Sequence, residues 1–148
     1  MQPKDTYFSR KLTINCRGEL YDMSAPKVMG ILNITPDSFY DGGKYNTDQE
    51  ILKRTDKLIA DGCDIIDLGA YSSRPAADHV SESDELKRLT KALQLIRKQY
   101  PEVIISVDTF RSNVAKTVVN DFEVDIINDI SAGDMDVNMF DTVAELKV

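Results

Sequence analysis

Short apolar runs alternate with amphipathic stretches along most of the chain. Four of these runs predict β-strands, and each is followed by residues with apolar positions at helical spacing. The runs are continuously apolar, which is typical of strands covered on both faces, and the helices between them imply parallel pairing. The predicted strands comprise residues 28–33, 63–68, 103–107 and 124–128.

Each predicted strand is followed by a predicted helix. The first helix begins at a capping box made by Thr47 and Glu50 and stops at Gly62, and the second ends before Pro101. The positions that define the four helices are Ile51, Leu52, Thr55, Leu58 and Ile59; Leu86, Leu89, Leu93 and Ile96; Val114, Ala115, Val118 and Val119; and Met139, Phe140, Val143 and Leu146.

A β-hairpin is predicted ahead of the four strand–helix units, because residues 12–16 and 19–23 flank the turn-forming pair Arg17 and Gly18. The units fit either a doubly wound open sheet or a barrel. A complete barrel of eight units needs roughly 250 residues, so this chain of 148 residues is expected to form the first half of one. We expect a hairpin cap over residues 1–26, four units over residues 27–148, and no second domain.

Composition and charge argue against several classes of function. The chain is 42% apolar and 29% charged, as in ordinary soluble domains, and its formal net charge of -7 disfavours a sequence-independent nucleic-acid binder. The N-terminus shows no apolar signal core, and no run approaches the roughly 20 apolar residues of a membrane span. Cys16 and Cys63 lack a metal-type spacing. We therefore expect a cytoplasmic protein with no membrane or nucleic-acid partner.

Polar residues gather where each predicted strand ends. The four ends carry Asn33, Asp67, Asp108 and Asn128, each followed by turn-forming residues. In parallel α/β folds the carboxyl ends of the strands meet at one edge, and that edge holds the active site. A single polar end is accounted for by turn chemistry, but four successive polar ends favour a ligand site.

Four segments of the chain resemble the signatures of the dihydropteroate synthases. Residues 29–43, MGILNITPDSFYDGG, are similar to the first family signature almost residue for residue, and residues 67–75 are similar to the second. Residues 105–109 and 126–131 are similar to the family's third and fourth strand ends. The resemblance implies a (β/α)8 TIM-type barrel, an α/β fold, whose bottom is plugged by the hairpin.

The resemblance implies a transferase of folate biosynthesis. The family condenses 6-hydroxymethyl-7,8-dihydropterin pyrophosphate with p-aminobenzoate and releases pyrophosphate. Sulfonamides compete with the second substrate. We expect the intact protein to be a homodimer that uses Mg²⁺.

The resemblance also implies roles for individual residues. Asn33 is expected to meet Mg²⁺ and the pyrophosphate, since a carboxamide oxygen is a hard ligand. Asp108 and Asn128 are expected to read the 2-amino-4-oxo edge of the pterin, and Asp108 also to stabilise positive charge as pyrophosphate leaves. Arg74 is expected to bind the pyrophosphate and ease its departure. The other substrate-binding residues are expected in two loops, with Thr35, Pro36, Asp37, Ser38 and Phe39 in the first and Ser73, Arg74 and Pro75 in the second.

Two features depart from the family pattern. Tyr71 stands where the family commonly has an acid, and the groups that the family's second half supplies have no counterpart in these residues. We therefore expect the isolated chain to be inactive as a synthase. Two other hypotheses stay open. One is a corrinoid-type pterin-binding methyltransferase, which residues 35–39 disfavour, and the other is a non-catalytic half-barrel that self-associates through its open edges.

Overall fold

The computed structural model describes residues 12–35, 47–71 and 80–148. A two-stranded hairpin comes first, and four strands that alternate with four helices follow it. The elements in chain order are β1 (Thr13–Cys16), β2 (Glu19–Asp22), β3 (Met29–Asn33), α1 (Thr47–Ala60), β4 (Ile65–Gly69), α2 (Glu82–Gln99), β5 (Ile104–Asp108), α3 (Ser112–Phe122), β6 (Ile126–Asn128) and α4 (Met139–Leu146).

The larger sheet is parallel, and its strand order β3-β4-β5-β6 repeats the order of the chain. A doubly wound sheet reverses its strand order at a switch point, and the described strands have no such reversal. Each new strand instead adds to the same edge, as in a barrel. The strand order therefore favours the barrel over the open sheet, and the four described units fit part of a (β/α)8 barrel.

The two faces of this sheet have different surroundings. Side chains such as Leu32, Leu68 and Val107 point towards the helices and belong to one buried core. The residues that alternate with these along each strand point to the other face, which is the barrel interior. On that face Ile31 is 66% exposed. Gly30 lies on the helix side, where an added Cβ would come within 2.8 Å of the Cys63 Sγ atom. A small residue at Gly30 therefore lets α1 pack closely against β3.

The hairpin lies against the amino ends of the barrel strands. Its turn places Arg17 and Gly18 at positive φ of 50° and 84°, which suits the tight two-residue connection predicted from the sequence. The Arg17 guanidinium donates to the carbonyls of Pro101 and Glu102, just before β5, and to the Asp125 carboxylate, just before β6. The predicted hairpin is therefore confirmed and covers the end of the sheet opposite the polar strand ends.

The predicted strand limits differ from the observed ones by one or two residues at several places. The second strand begins at Ile65 and not at residue 63, because Cys63 donates its N–H to the Leu58 carbonyl and so closes the turn after α1. The fourth begins at Ile126 and not at residue 124, and the third extends one residue further, to Asp108. The capping box stays a prediction, because the Thr47 side chain lies outside the described residues. Within the described ranges, no helix is both long enough and apolar enough to cross a membrane.

The amino end of α3 is capped by a residue from a distant segment. Arg111 precedes the helix but makes no capping bond, whereas the Asp136 carboxylate accepts a 2.7 Å hydrogen bond from the Ser112 backbone N–H. Hydrogen bonds from the Ser112 side chain and backbone and from the Asn138 backbone lower the pKa of Asp136 to about 2. The loop before α4 is thereby tied to the helix before it.

Replacing Asp136 with asparagine is expected to lower the free energy of unfolding by about 1 kcal/mol at neutral pH, because the backbone N–H groups of Ser112 and Asn138 then donate to a neutral acceptor instead of a charged one. Because the pKa of Asp136 is depressed in the folded protein, its contribution is present above the ordinary carboxyl value of 3.8 and is lost as the pH falls towards about 2. Urea unfolding of both proteins at neutral and at acidic pH measures this difference. A loss of the same size at every pH would contradict a cap that depends on the carboxylate charge.

Candidate functional site

The carboxyl ends of the four parallel strands bring one row of residues into register. Asn33 pairs with Gly69, Gly69 with Asp108, and Asp108 with Asn128. All four share the face of the sheet that forms the barrel interior, because register partners on parallel strands point the same way. The prediction that Asn33, Asp108 and Asn128 lie together is confirmed, and Gly69 completes their row.

Gly69 leaves room for the side chains on both of its neighbours. A Cβ atom added there would lie 2.8 Å from the Asn33 Oδ1 atom and 3.8 Å from the Asp108 Oδ2 atom. The Asn33 and Asp108 side-chain oxygens therefore both lie over Gly69. A side chain at this position would occupy the space in which an amide oxygen and a carboxylate oxygen face the barrel mouth.

Replacing Gly69 with alanine is expected to displace the Asn33 carboxamide. On the role that the family resemblance implies for Asn33, divalent-cation and pyrophosphate binding should then weaken about tenfold. The cost in stability should stay below about 1 kcal/mol, because the atom in the way is the free end of a side chain and not backbone. Isothermal titration with magnesium pyrophosphate and urea unfolding measure the two effects. Unchanged affinity would show that the position of Asn33 over Gly69 does not matter for binding.

Asp67 lies one pleat below this row, on the same face of β4. Its Oδ2 atom accepts a 3.1 Å hydrogen bond from the Asn128 Nδ2 atom, although β5 lies between the strands that carry the two residues. The Asp67 side chain is buried, and its Oδ1 atom has no hydrogen-bond partner within the described part of the chain. The Ser106 Oγ atom, on the adjacent strand in the same row as Asp67, is also buried without a partner there.

Asp108 is half-buried in a group of like charges. Burial raises the pKa of its carboxyl, and the negative charges of Asp67 and Asp129 raise it further. A carboxylate in this setting binds a proton, or a partner rich in N–H donors, more readily than an isolated one. The inner end of the site therefore favours a donor-rich ligand and disfavours an uncompensated anion.

Asp129 follows Asn128 but has a structural role in the loop after β6. Its carboxylate oxygens accept hydrogen bonds from the backbone N–H groups of Ser131 at 2.8 Å and Gly133 at 2.9 Å. Ala132 and Gly133 adopt positive φ in this turn. Asp129 thus holds the loop after β6 in shape, whereas Asn128 faces the barrel interior.

A cluster between the ends of β4 and β5 was not predicted from the sequence. The Arg111 guanidinium pairs with the buried Glu85 carboxylate and lies over the rings of Tyr71 and Phe110 at 5.5 and 4.6 Å. It also donates to the Val80 carbonyl at 2.9 Å. Tyr71 and Val80 are the described residues on either side of the second predicted loop, so Arg111 contacts both.

The remaining predicted site residues are only partly covered by the structure. Thr35 follows Ile34, which still donates its backbone N–H to the Gly69 carbonyl, so Thr35 lies beside the row. No cluster of three or more metal-binding side chains occurs within the described ranges. Pro36, Asp37, Ser38, Phe39, Ser73, Arg74 and Pro75 lie outside the described residues.

Comparison with known proteins gives one consistent result. The family model described as pterin binding enzyme matches residues 29–148. The chain is 47% identical over 130 residues to the mitochondrial folate synthesis bifunctional protein of Arabidopsis thaliana, a match that covers 86% of this chain and 23% of that protein. It is 44% identical over 121 residues to the dihydropteroate synthase of Streptococcus pyogenes, covering 82% of this chain and 45% of that protein.

Solved structures agree with these sequence relatives. The dihydropteroate synthase of Xanthomonas albilineans with 4-aminobenzoic acid superposes with a TM-score of 0.83 at 34% identity, covering 93% of this chain and 50% of that one. The same enzyme in complex with 7,8-dihydropteroate superposes with a TM-score of 0.77 at 32% identity, covering 92% of this chain and 48% of that one. The chain spans half or less of the length of these relatives.

Proposed function

Because this chain belongs to the dihydropteroate synthase family of pterin-binding enzymes, we propose that it forms part of an enzyme that condenses 6-hydroxymethyl-7,8-dihydropterin pyrophosphate with p-aminobenzoate. The observation that carries the proposal is the in-register row of Asn33, Gly69, Asp108 and Asn128 at the carboxyl edge of the sheet. In this row, Asp108 and Asn128 suit a pterin, and Asn33 suits a metal-bound phosphate.

Asp108 and Asn128 form the pterin end of the proposed site. The 2-amino-4-oxo pyrimidine edge presents N–H donors beside an acceptor, and a carboxylate next to a carboxamide matches that pattern. The raised pKa of Asp108 reflects burial and neighbouring negative charge, both of which a donor-rich or cationic ring relieves. As pyrophosphate departs, positive charge develops on the pterin, and the Asp108 carboxylate is placed to stabilise it.

Asn33 and Arg74 form the proposed phosphate end. The acidic residues around Asp108 would repel a pyrophosphate unless cations lay between them, so the anion belongs near Asn33 and the Arg74 guanidinium. Asn33 Oδ1, which lies over Gly69, is a hard oxygen of the kind that Mg²⁺ accepts alongside phosphate oxygens and water. Magnesium would supply neutralisation of the leaving pyrophosphate when bound.

The two predicted loops, which follow β3 and β4 in the sequence, complete the proposal. Thr35, Pro36, Asp37, Ser38 and Phe39 would enclose p-aminobenzoate, with Ser73 and Pro75 from the second loop. The solved relative with 4-aminobenzoic acid supports this assignment of the second substrate. We further propose a cytoplasmic homodimer that is inhibited by sulfonamides.

A coupled assay tests the proposed function. The natural gene product, given the pterin pyrophosphate, p-aminobenzoate and Mg²⁺, is expected to form dihydropteroate and release pyrophosphate in equal amounts. Omission of p-aminobenzoate should stop both. Methyl transfer from a methylated folate, with no dependence on p-aminobenzoate, would overturn the proposal in favour of a methyltransferase.

A further inference from the structure

Three aspartates near the strand ends differ in how their oxygens are used. Asp125 is fully partnered, because its two oxygens accept from the Arg17 and Arg97 guanidinium groups and from the Ile105 backbone N–H. Asp129 is occupied by the backbone of its own turn. Asp67 is 5% exposed, yet within the described ranges its carboxylate has one hydrogen-bond donor, the Asn128 amide, and one unpartnered oxygen.

The hydrogen bonding of the two carboxylate oxygens distinguishes an aspartate with a structural role from one that belongs to a binding site. A buried carboxylate oxygen without a donor costs stability, so a purely structural aspartate is normally satisfied on both oxygens, as Asp125 is. Asp67 does not follow that rule. The donor that it does hold is the side chain that faces the proposed pterin site.

The bond from Asn128 to Asp67 also determines which way the Asn128 amide points. A carboxamide can rotate to exchange its oxygen and nitrogen, and the two orientations are distinguished by their hydrogen bonds. An ionised carboxylate only accepts, so it can pair only with the NH₂ group of Asn128. The Asn128 Oδ1 atom and its second N–H are then left for a ligand, in a fixed order.

We propose that Asp67 is a positioning residue, which locks the Asn128 carboxamide in the orientation that reads the pterin edge. This inference rests on the proposed function, since it concerns the same site. Asp67 lies one pleat below the row and is buried, so it acts through Asn128 and is not itself a catalytic residue. The buried Ser106 hydroxyl on the adjacent strand, which also lacks a hydrogen-bond partner among the described residues, adds a second polar group next to the Asp67 carboxylate.

The test compares Asp67→Asn with the matched variant Asp129→Asn. Each substitution removes one negative charge near Asp108, but only the first removes the fixed acceptor for the Asn128 amide. The Kd for 6-hydroxymethylpterin, read from its fluorescence, is expected to rise about tenfold in Asp67→Asn and less than about threefold in Asp129→Asn. Side-chain NMR resonances of the Asn128 NH₂ group are expected to shift in the first variant and to persist in the second.

A double substitution separates positioning from a general structural effect. If Asp67 acts through Asn128, then adding Asp67→Asn to Asn128→Ala should leave the pterin Kd within about twofold of Asn128→Ala alone. A structural role for Asp67 predicts a further loss in that background. Thermal melts of each variant check that the fold is kept, and Asp67→Glu serves as a second variant that retains the acceptor if Asp67→Asn does not fold.

The outcomes are distinguishable from failure of the proposed function. Absence of pterin binding by the unsubstituted protein, with the Asn128 resonances in place, would overturn the proposed function and this inference with it. Binding by the unsubstituted protein, followed by equal losses in Asp67→Asn and Asp129→Asn or by additive losses in the double variant, would overturn the inference alone. The inference is supported if pterin binding weakens in Asp67→Asn but not in Asp129→Asn, and if Asp67→Asn causes no further loss in the Asn128→Ala background.

Discussion

Replacing Asp108 with asparagine is expected to weaken binding of 6-hydroxymethylpterin about 100-fold, because a hydrogen bond to a charged group in a partly buried site is lost. Synthase activity should fall by at least as much, since in the proposed mechanism the same carboxylate stabilises the positive charge that develops on the pterin. Fluorescence titration and the dihydropteroate assay measure the two effects. Unchanged pterin affinity would remove Asp108 from the site.

The same substitution is expected to stabilise the fold at neutral pH. The pKa of Asp108 is raised above its ordinary value, first by burial and then by Asp67 and Asp129. A raised carboxyl pKa means that the folded protein prefers the protonated form, so the ionised group opposes folding above its folded pKa. The gain in Asp108→Asn should therefore be present at neutral pH and vanish below the ordinary value of 3.8. Lower stability at neutral pH would contradict this charge account.

Replacing Asp125 with asparagine is expected to lower the free energy of unfolding by about 3 kcal/mol, because breaking a buried ion pair leaves its partners uncompensated. Its carboxylate is fully buried and pairs with Arg17 at 2.9 Å and Arg97 at 3.0 Å. It also accepts from the Ile105 backbone N–H at 2.9 Å. The substitution keeps the size of the side chain, so the loss reports on the charge that joins the hairpin to the sheet.

Urea unfolding of Asp125→Asn should be compared with that of Asp61→Asn. Asp61 forms an exposed pair with Lys57, with 60% and 74% of the two side chains exposed, so its loss should cost less than about 0.5 kcal/mol. Similar losses in the two variants would show that burial does not amplify the Asp125 network. Pterin affinity should change little in Asp125→Asn, because the hairpin lies at the opposite end of the strands from the row.

The hairpin, the order of the units and the gathering of Asn33, Asp108 and Asn128 followed from the sequence because each depends on local pattern. Apolar runs, helical spacing and the pair Arg17 and Gly18 act within a few residues. Once four parallel strands are inferred, their polar ends must meet at one edge. The family resemblance then selected the barrel over the open sheet, and the strand order confirms it.

The partners of the buried charges did not follow from the sequence, because they depend on register between distant strands. Asp67 and Asn128 lie 61 residues apart, and Arg17 and Asp125 lie 108 apart. One signal was present: an aspartate inside an apolar run, as at residues 63–68 and 124–128, implies a buried carboxylate that needs donors. That signal shows the need for partners without identifying them.

An NMR titration of the protein with 6-hydroxymethylpterin tests whether the carboxyl edge of the parallel sheet is the pterin site. We expect the largest shifts at the carboxyl edge of the sheet, on the Asn128 side-chain amide and on the backbone amides of Gly69 and Thr109. The hairpin turn at Arg17 and Gly18 should not shift. Shifts that concentrate on the hairpin and the amino ends of the strands, or a saturating ligand concentration with no shift at the row, would contradict it.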